Sequence, residues 1–77
     1  MTIVDLAELK AGMTGTITNI DGGHGITNRL DAMGIRCGIK VTKLSGQFMR
    51  GPVIIKVGKT QIAIGYGMAK KVLVQVG

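Results

Sequence analysis

The decapeptide from Arg29 to Gly38, R-L-D-A-M-G-I-R-C-G, decides how the rest of the chain is read. Leu30 and Met33 fall at helical spacing ahead of Gly34, and glycine is the residue type that most often ends a helix. Directly behind it, basic residues begin to alternate with β-branched ones. Adding Ile26 gives an apolar set at i, i+4 and i+7, which predicts a helix of about two turns with Thr27 or Asn28 available as its cap. A helix that short is not stable alone in water. It must dock on something, and the flanking sequence offers a sheet.

Upstream, T-G-T-I-T-N-I at 14–20 is rich in threonine and β-branched residues and reads as a strand, closed by the turn residues Asp21, Gly22 and Gly23. Before it, Asp5 with Glu8 three residues on, then Leu9 and Gly12, has the form of a capping box and predicts a short N-terminal helix. Downstream, Ile39 to Leu44 reads as a strand with Ile39 and Val41 on one face and Lys40 and Thr42 on the other, up to a Ser45-Gly46 turn. Gln47 to Arg50 then form a connection. Val53, Ile55 and Val57 alternate with Ile54 and Lys56, and Gly58-Lys59 forms a two-residue turn into Thr60, Ile62 and Ile64; this is a β-hairpin signature. Gly65 to Lys71 leaves room for one helical turn, and Val72, Val74 and Val76 make a closing strand. About five short strands with 13 glycines at the corners suit a small all-β barrel of the SH3-like kind, which hides strand edges.

A chain of 77 residues forms one domain, residues 1–77, and buries only roughly 60–65% of its unfolded surface. With one cysteine and one histidine it has neither an internal disulfide nor metal-finger spacing to staple that core. The N-terminus, M-T-I-V-D-L-A-E-L-K, carries acids where a secretory signal is basic, and no apolar run approaches the roughly 18–20 residues that span a bilayer. A reducing, cytoplasmic setting without direct membrane insertion is expected. Net charge is +6, and all four acids (Asp5, Glu8, Asp21, Asp31) precede residue 32. Such asymmetry favours an anionic partner or, more blandly, solubilises outer strand faces. Phe48 and Tyr66 stand alone without tryptophan, so the stacking platform of single-stranded nucleic acid binders is missing.

The helix-and-glycine decapeptide, G-P-V-I-I-K-V at 51–57 and I-A-I-G-Y-G-M-A-K-K-V-L-V at 62–74 together resemble the FeoA family, small cytosolic accessory proteins of bacterial ferrous iron uptake. Leu30, Met33, Gly34, Gly38, Gly51, Pro52, Ile62 to Ile64, Ala69, Val72 and Val74 are the positions that carry the likeness. It implies an SH3-like domain that acts on a membrane ferrous iron transporter with a cytosolic G-protein domain. Two alternatives stay open. One is a transition-metal-binding chaperone or sensor, because similar domains occur at the C-terminus of metal-dependent repressors; the other is a basic barrel that binds nucleic acid through phosphates.

Sites of chemistry are scarce. Gly58-Lys59-Thr60 has the tail of a P-loop, but the required glycine five positions earlier is Val53. The Gly22, Gly23, Gly25 cluster lacks the dinucleotide fingerprint. His24, Asp21 and Cys37, with Asp31, are the available metal ligands; they lack a ligand spacing, so no firm cofactor is expected and only weak Fe(II) or Zn(II) binding is entertained. One histidine, one cysteine and one serine make no triad, and the chain reads as non-enzymatic. Recognition is the expected function, through a cleft between the inserted helix and the barrel. The expected partner-binding residues are Arg29, Leu30, Met33, Arg36, Phe48, Met49, Arg50 and Pro52, with an apolar floor and a basic rim. Self-association is left open.

Overall fold

The computed structural model describes residues 2–45 and 51–77. Among them six strands and two helices follow in the order β1 (Thr2–Asp5), β2 (Thr14–Ile20), α1 (Gly23–Ala32), β3 (Lys40–Ser45), β4 (Val53–Val57), β5 (Thr60–Ile64), α2 (Tyr66–Ala69) and β6 (Val72–Val76). One antiparallel sheet takes them in the order β1-β6-β2-β3-β4-β5. It bends at irregularities between Ile17 and Asn19 and between Lys43 and Ser45, where an extra residue raises the local twist. The curled sheet encloses a core that includes Leu6, Ile17, Leu30, Ile35, Val41, Val53, Ile55, Ile64, Val72 and Val74. The Ser45-Gly46 turn and the 47–50 connection lie outside the described residues.

The N-terminal segment differs from the expected short helix. Thr2–Asp5 is a strand, paired from Thr2↔Val76 to Asp5↔Leu73, and only one helical turn follows. Its cap is the expected one: Asp5 Oδ1 accepts from the Glu8 N–H at 2.8 Å, and the Asp5 carbonyl accepts from Leu9 at 3.0 Å. The turn goes no further because tertiary bonds take its backbone. Leu6 N–H donates to the carbonyls of Ala69 and Val72, and Gly12 N–H donates to Lys43 at 2.7 Å. A four-residue strand that depends on an edge 70 residues away leaves too short a local pattern to be read, so the strands number six rather than about five.

α1 begins at Gly23, four residues before the expected cap, and Thr27 Oγ1 donates back to the Gly23 carbonyl at 2.8 Å instead of capping. Its C-terminus is a Schellman turn. Ile35 N–H reaches the Leu30 carbonyl at 2.9 Å and Gly34 N–H reaches Asp31 at 2.9 Å, with Gly34 at φ +85°, a conformation that other L-residues adopt at a cost. In this motif the apolar side chains on either side of the glycine are drawn together. Here they are Leu30 and Ile35, both 0% exposed. The hairpin of β4 and β5 has the expected two-residue turn and an unbroken register from Val53↔Ile64 to Val57↔Thr60.

Candidate interaction surface

The helix-borne part of the expected recognition face is only partly available. Arg29, on α1, is exposed, and Met33, the C-cap of α1, is 37% exposed. Leu30 is corrected to a core residue, because the Schellman turn buries it beside Ile35. Arg36 lies in the loop behind Gly34, where its Nε sits 3.1 Å from Asp31 Oδ1. Both side chains of this pair are mostly in solvent, so it contributes at most about 1 kcal/mol. Pro52 is exposed. Phe48, Met49 and Arg50 lie outside the described residues.

The metal-ligand candidates are all exposed: Asp21 before α1, His24 in its first turn, and Cys37 in the loop before β3. Among the described residues no three His, Cys, Asp or Glu side chains come together as a metal site.

A concave surface unforeseen in the sequence lies at the far end of β1, β6 and β2. An apolar groove of about 250 Å³ is lined by Val4, Glu8, Leu9, Lys10, Met13 and Val76. Beside it, sharing Val76, a polar hollow of about 460 Å³ is lined by residues including Thr14, Gly15, Thr16, Lys40 and Gln75. Together they form one trough with an apolar half and a hydroxyl-and-lysine half. Gly15 makes the hollow deep. A Cβ there would stand 3.0 Å from the Gln75 carbonyl and 3.1 Å from Val76 Cγ1, so β2 and β6 approach as closely as they do only because the position has no side chain. Met13 is 42% exposed at the groove's edge, an adaptable apolar side chain with no core duty. That mismatch, an apolar residue beside the turn-ending Gly12 and ahead of the strand, is the signal the sequence offers.

Behind the groove lies Lys43, 2% exposed on the inward face of β3, on the same parity as Val41. Its Nζ donates to the Ala7 carbonyl at 2.8 Å, and its own N–H and C=O bond Met13 at 3.0 Å and Gly12 at 2.7 Å. One residue therefore ties down both ends of the turn that walls the groove. Burial pushes the Lys43 ammonium below the usual lysine value of 10.5, and the nearby Asp5 carboxylate partly offsets this.

Across residues 4–76 the chain matches the model of the FeoA domain. This chain belongs to the FeoA family. It is 41% identical over 70 residues to the "Putative Fe(2+) transport protein A" of Methanocaldococcus jannaschii, covering 91% of this chain and 83% of that relative. A crystal structure described as an iron uptake regulatory protein (FeoA) superposes with a TM-score of 0.87 at 37% identity over 97% of each chain. The Stenotrophomonas maltophilia FeoA, crystallised with zinc and described as an SH3 domain protein, superposes with a TM-score of 0.80 at 26% identity, over 94% of this chain and 89% of that one. The FeoA barrel described above is thus an SH3-like one, as the strand pattern predicted.

Proposed function

We propose that this FeoA protein is an accessory component of ferrous iron uptake that works by binding, as an interaction module, to the cytosolic G-protein domain of a membrane ferrous iron transporter. The observation that carries the role is the 41% identical relative named for Fe(2+) transport, matched over 83% of its length. What supports binding rather than chemistry is the kind of surface on offer. The trough joins an apolar floor to a charged rim at Lys40, Lys10 and Glu8, the pattern of a protein-protein contact, and α1 with its C-cap adds Arg29 and Met33. No helix among the described residues is long and apolar enough to cross a membrane.

The test is a calorimetric titration of the protein into the purified cytosolic G-protein domain of the transporter from the same organism. Saturable one-to-one binding is expected. Met13→Asp places an unpaired charge in the groove and should weaken binding about tenfold or more, roughly 1.4 kcal/mol, with the melt unchanged; Met33→Asp asks the same of α1. Absence of binding by the folded wild-type protein would refute the proposal.

A further inference from the structure

The sheet has two terminal strands, β1 and β5, and they are not equivalent. On β1, Leu6 N–H already bonds Val72, so by strict alternation Ile3 and Asp5 point their backbone groups away from β6. The Asp5 carbonyl is taken by Glu8 and Leu9, so one of the four outward groups of β1 is already occupied. β5 is open. The two-residue turn makes Val57↔Thr60 a mutually hydrogen-bonded pair, and the unbroken register makes Ile55↔Ile62 and Val53↔Ile64 the same. The N–H and C=O of Gln61 and Ala63 therefore point outward.

Edge strands are normally blunted by an inward charge, a proline, a bulge or a covering element. β5, T-Q-I-A-I, contains no charge and no proline, and its ladder has no irregularity, unlike those of β2 with β6 and β3 with β4. Gln61 and Ala63 are exposed. The charges on the β4–β5 hairpin are of one sign: Lys59 in the turn, and Lys56 on β4 directly opposite Gln61. No acid occurs anywhere after Asp31 in a chain of net charge +6. A second copy would bring the same positive surface to this edge, whereas an acidic segment would be drawn to it.

We infer that β5 is a strand-addition site that receives an extended acidic segment of a partner polypeptide. The partner strand pairs its backbone with Gln61 and Ala63 and sets carboxylates against Lys56 and Lys59. This rests on the reading of the chain as an interaction module. It places the contact on a strand that lines neither half of the trough.

The probe is a ten-residue peptide of alternating glutamate and valine with blocked ends, and its lysine-for-glutamate counterpart, each titrated into isotope-labelled protein. In the free protein the amides of Gln61 and Ala63 should exchange with solvent at least tenfold faster than those of Ile62 and Ile64. The glutamate peptide should slow them and shift their resonances, the lysine peptide should not, and Ala63→Pro, which removes only an outward N–H, should abolish the effect. Gln61→Pro serves where Ala63→Pro lowers the melt. Protection of Gln61 and Ala63 in the free monomer, equal response to both peptides, or protection that follows protein concentration through dimerisation would each overturn the inference. Binding to the transporter's G-protein domain is measured in parallel: retained there while the peptide fails, it sinks strand addition alone; lost there while the peptide binds, it sinks the transporter reading alone.

Discussion

Replacing Lys43 separates two things that its burial combines, a packed stem and a desolvated charge. The residue is 2% exposed and donates to the Ala7 carbonyl. Lys43→Ala deletes about three buried methylenes at roughly 0.8 kcal/mol each and should cost about 2–3 kcal/mol. Lys43→Met keeps the apolar stem and deletes the charge. The hydrogen bond from a charged donor, worth about 1.5–3 kcal/mol, is then lost while the burial penalty is relieved, so the net change at neutral pH should stay within about 1.5 kcal/mol. The sign of the pH dependence follows from the lowered pKa. A folded-state pKa below 10.5 means that in the window between the two values the unfolded chain binds more protons than the folded one. Lys43 therefore makes the wild-type protein gain stability as pH rises through that window. Urea unfolding followed by circular dichroism from pH 7 to 10.5, for wild type and Lys43→Met side by side, reads this directly. The stability of wild type relative to Lys43→Met should climb toward alkaline pH. A constant difference, or one moving the other way, would refute the reasoning, and so would a Lys43→Ala protein as stable as wild type.

Two further outcomes test the fold. Gly15→Ala brings a Cβ to 3.0 Å from the Gln75 carbonyl; β6 must give slightly to admit it, and the midpoint in urea should fall by the equivalent of about 1–3 kcal/mol. Deletion of residues after Lys71 removes the fully buried Val72 and Val74, about 3–6 kcal/mol at roughly 1.5–3 each, from a chain whose whole stability is of order 4–12 kcal/mol. Calorimetry should show no cooperative melt, and a transition near the full-length temperature would contradict the sheet order.

The barrel was legible because its signals are local. Val53 to Ile64 alternates around a two-residue turn, and 14–20 is β-branched at every position but Gly15 and Asn19. β1 was not legible, since Thr2–Asp5 is a strand only because β6 lies alongside it. The same contrast runs through the surface residues. Leu30 looked like one side of a two-faced helix, but the glycine that ended α1 also folded Ile35 back beside it, so the stop signal decided the burial. Lys43 shares the parity of Val41, yet its charge argued for solvent, and only the turn passing over it shows what it bonds. The trough depends on which strand ends meet in space, which nothing in the local pattern announces.

The place of β6 between β1 and β2 also bears on how the chain comes to be folded at all. Thr2 pairs with Val76, and Ile17 with Val74, so one end of the sheet is built from strands far apart in the chain. The pairing of β4 with β5 is local, but the core cannot close until β1 and β6 are both available and have found one another. Most of the loop-closure entropy is therefore surrendered before Val72 and Val74 are buried. Chains whose pairings are this remote fold in roughly milliseconds to seconds rather than microseconds, and on a ribosome the core stays open until residue 76 has emerged.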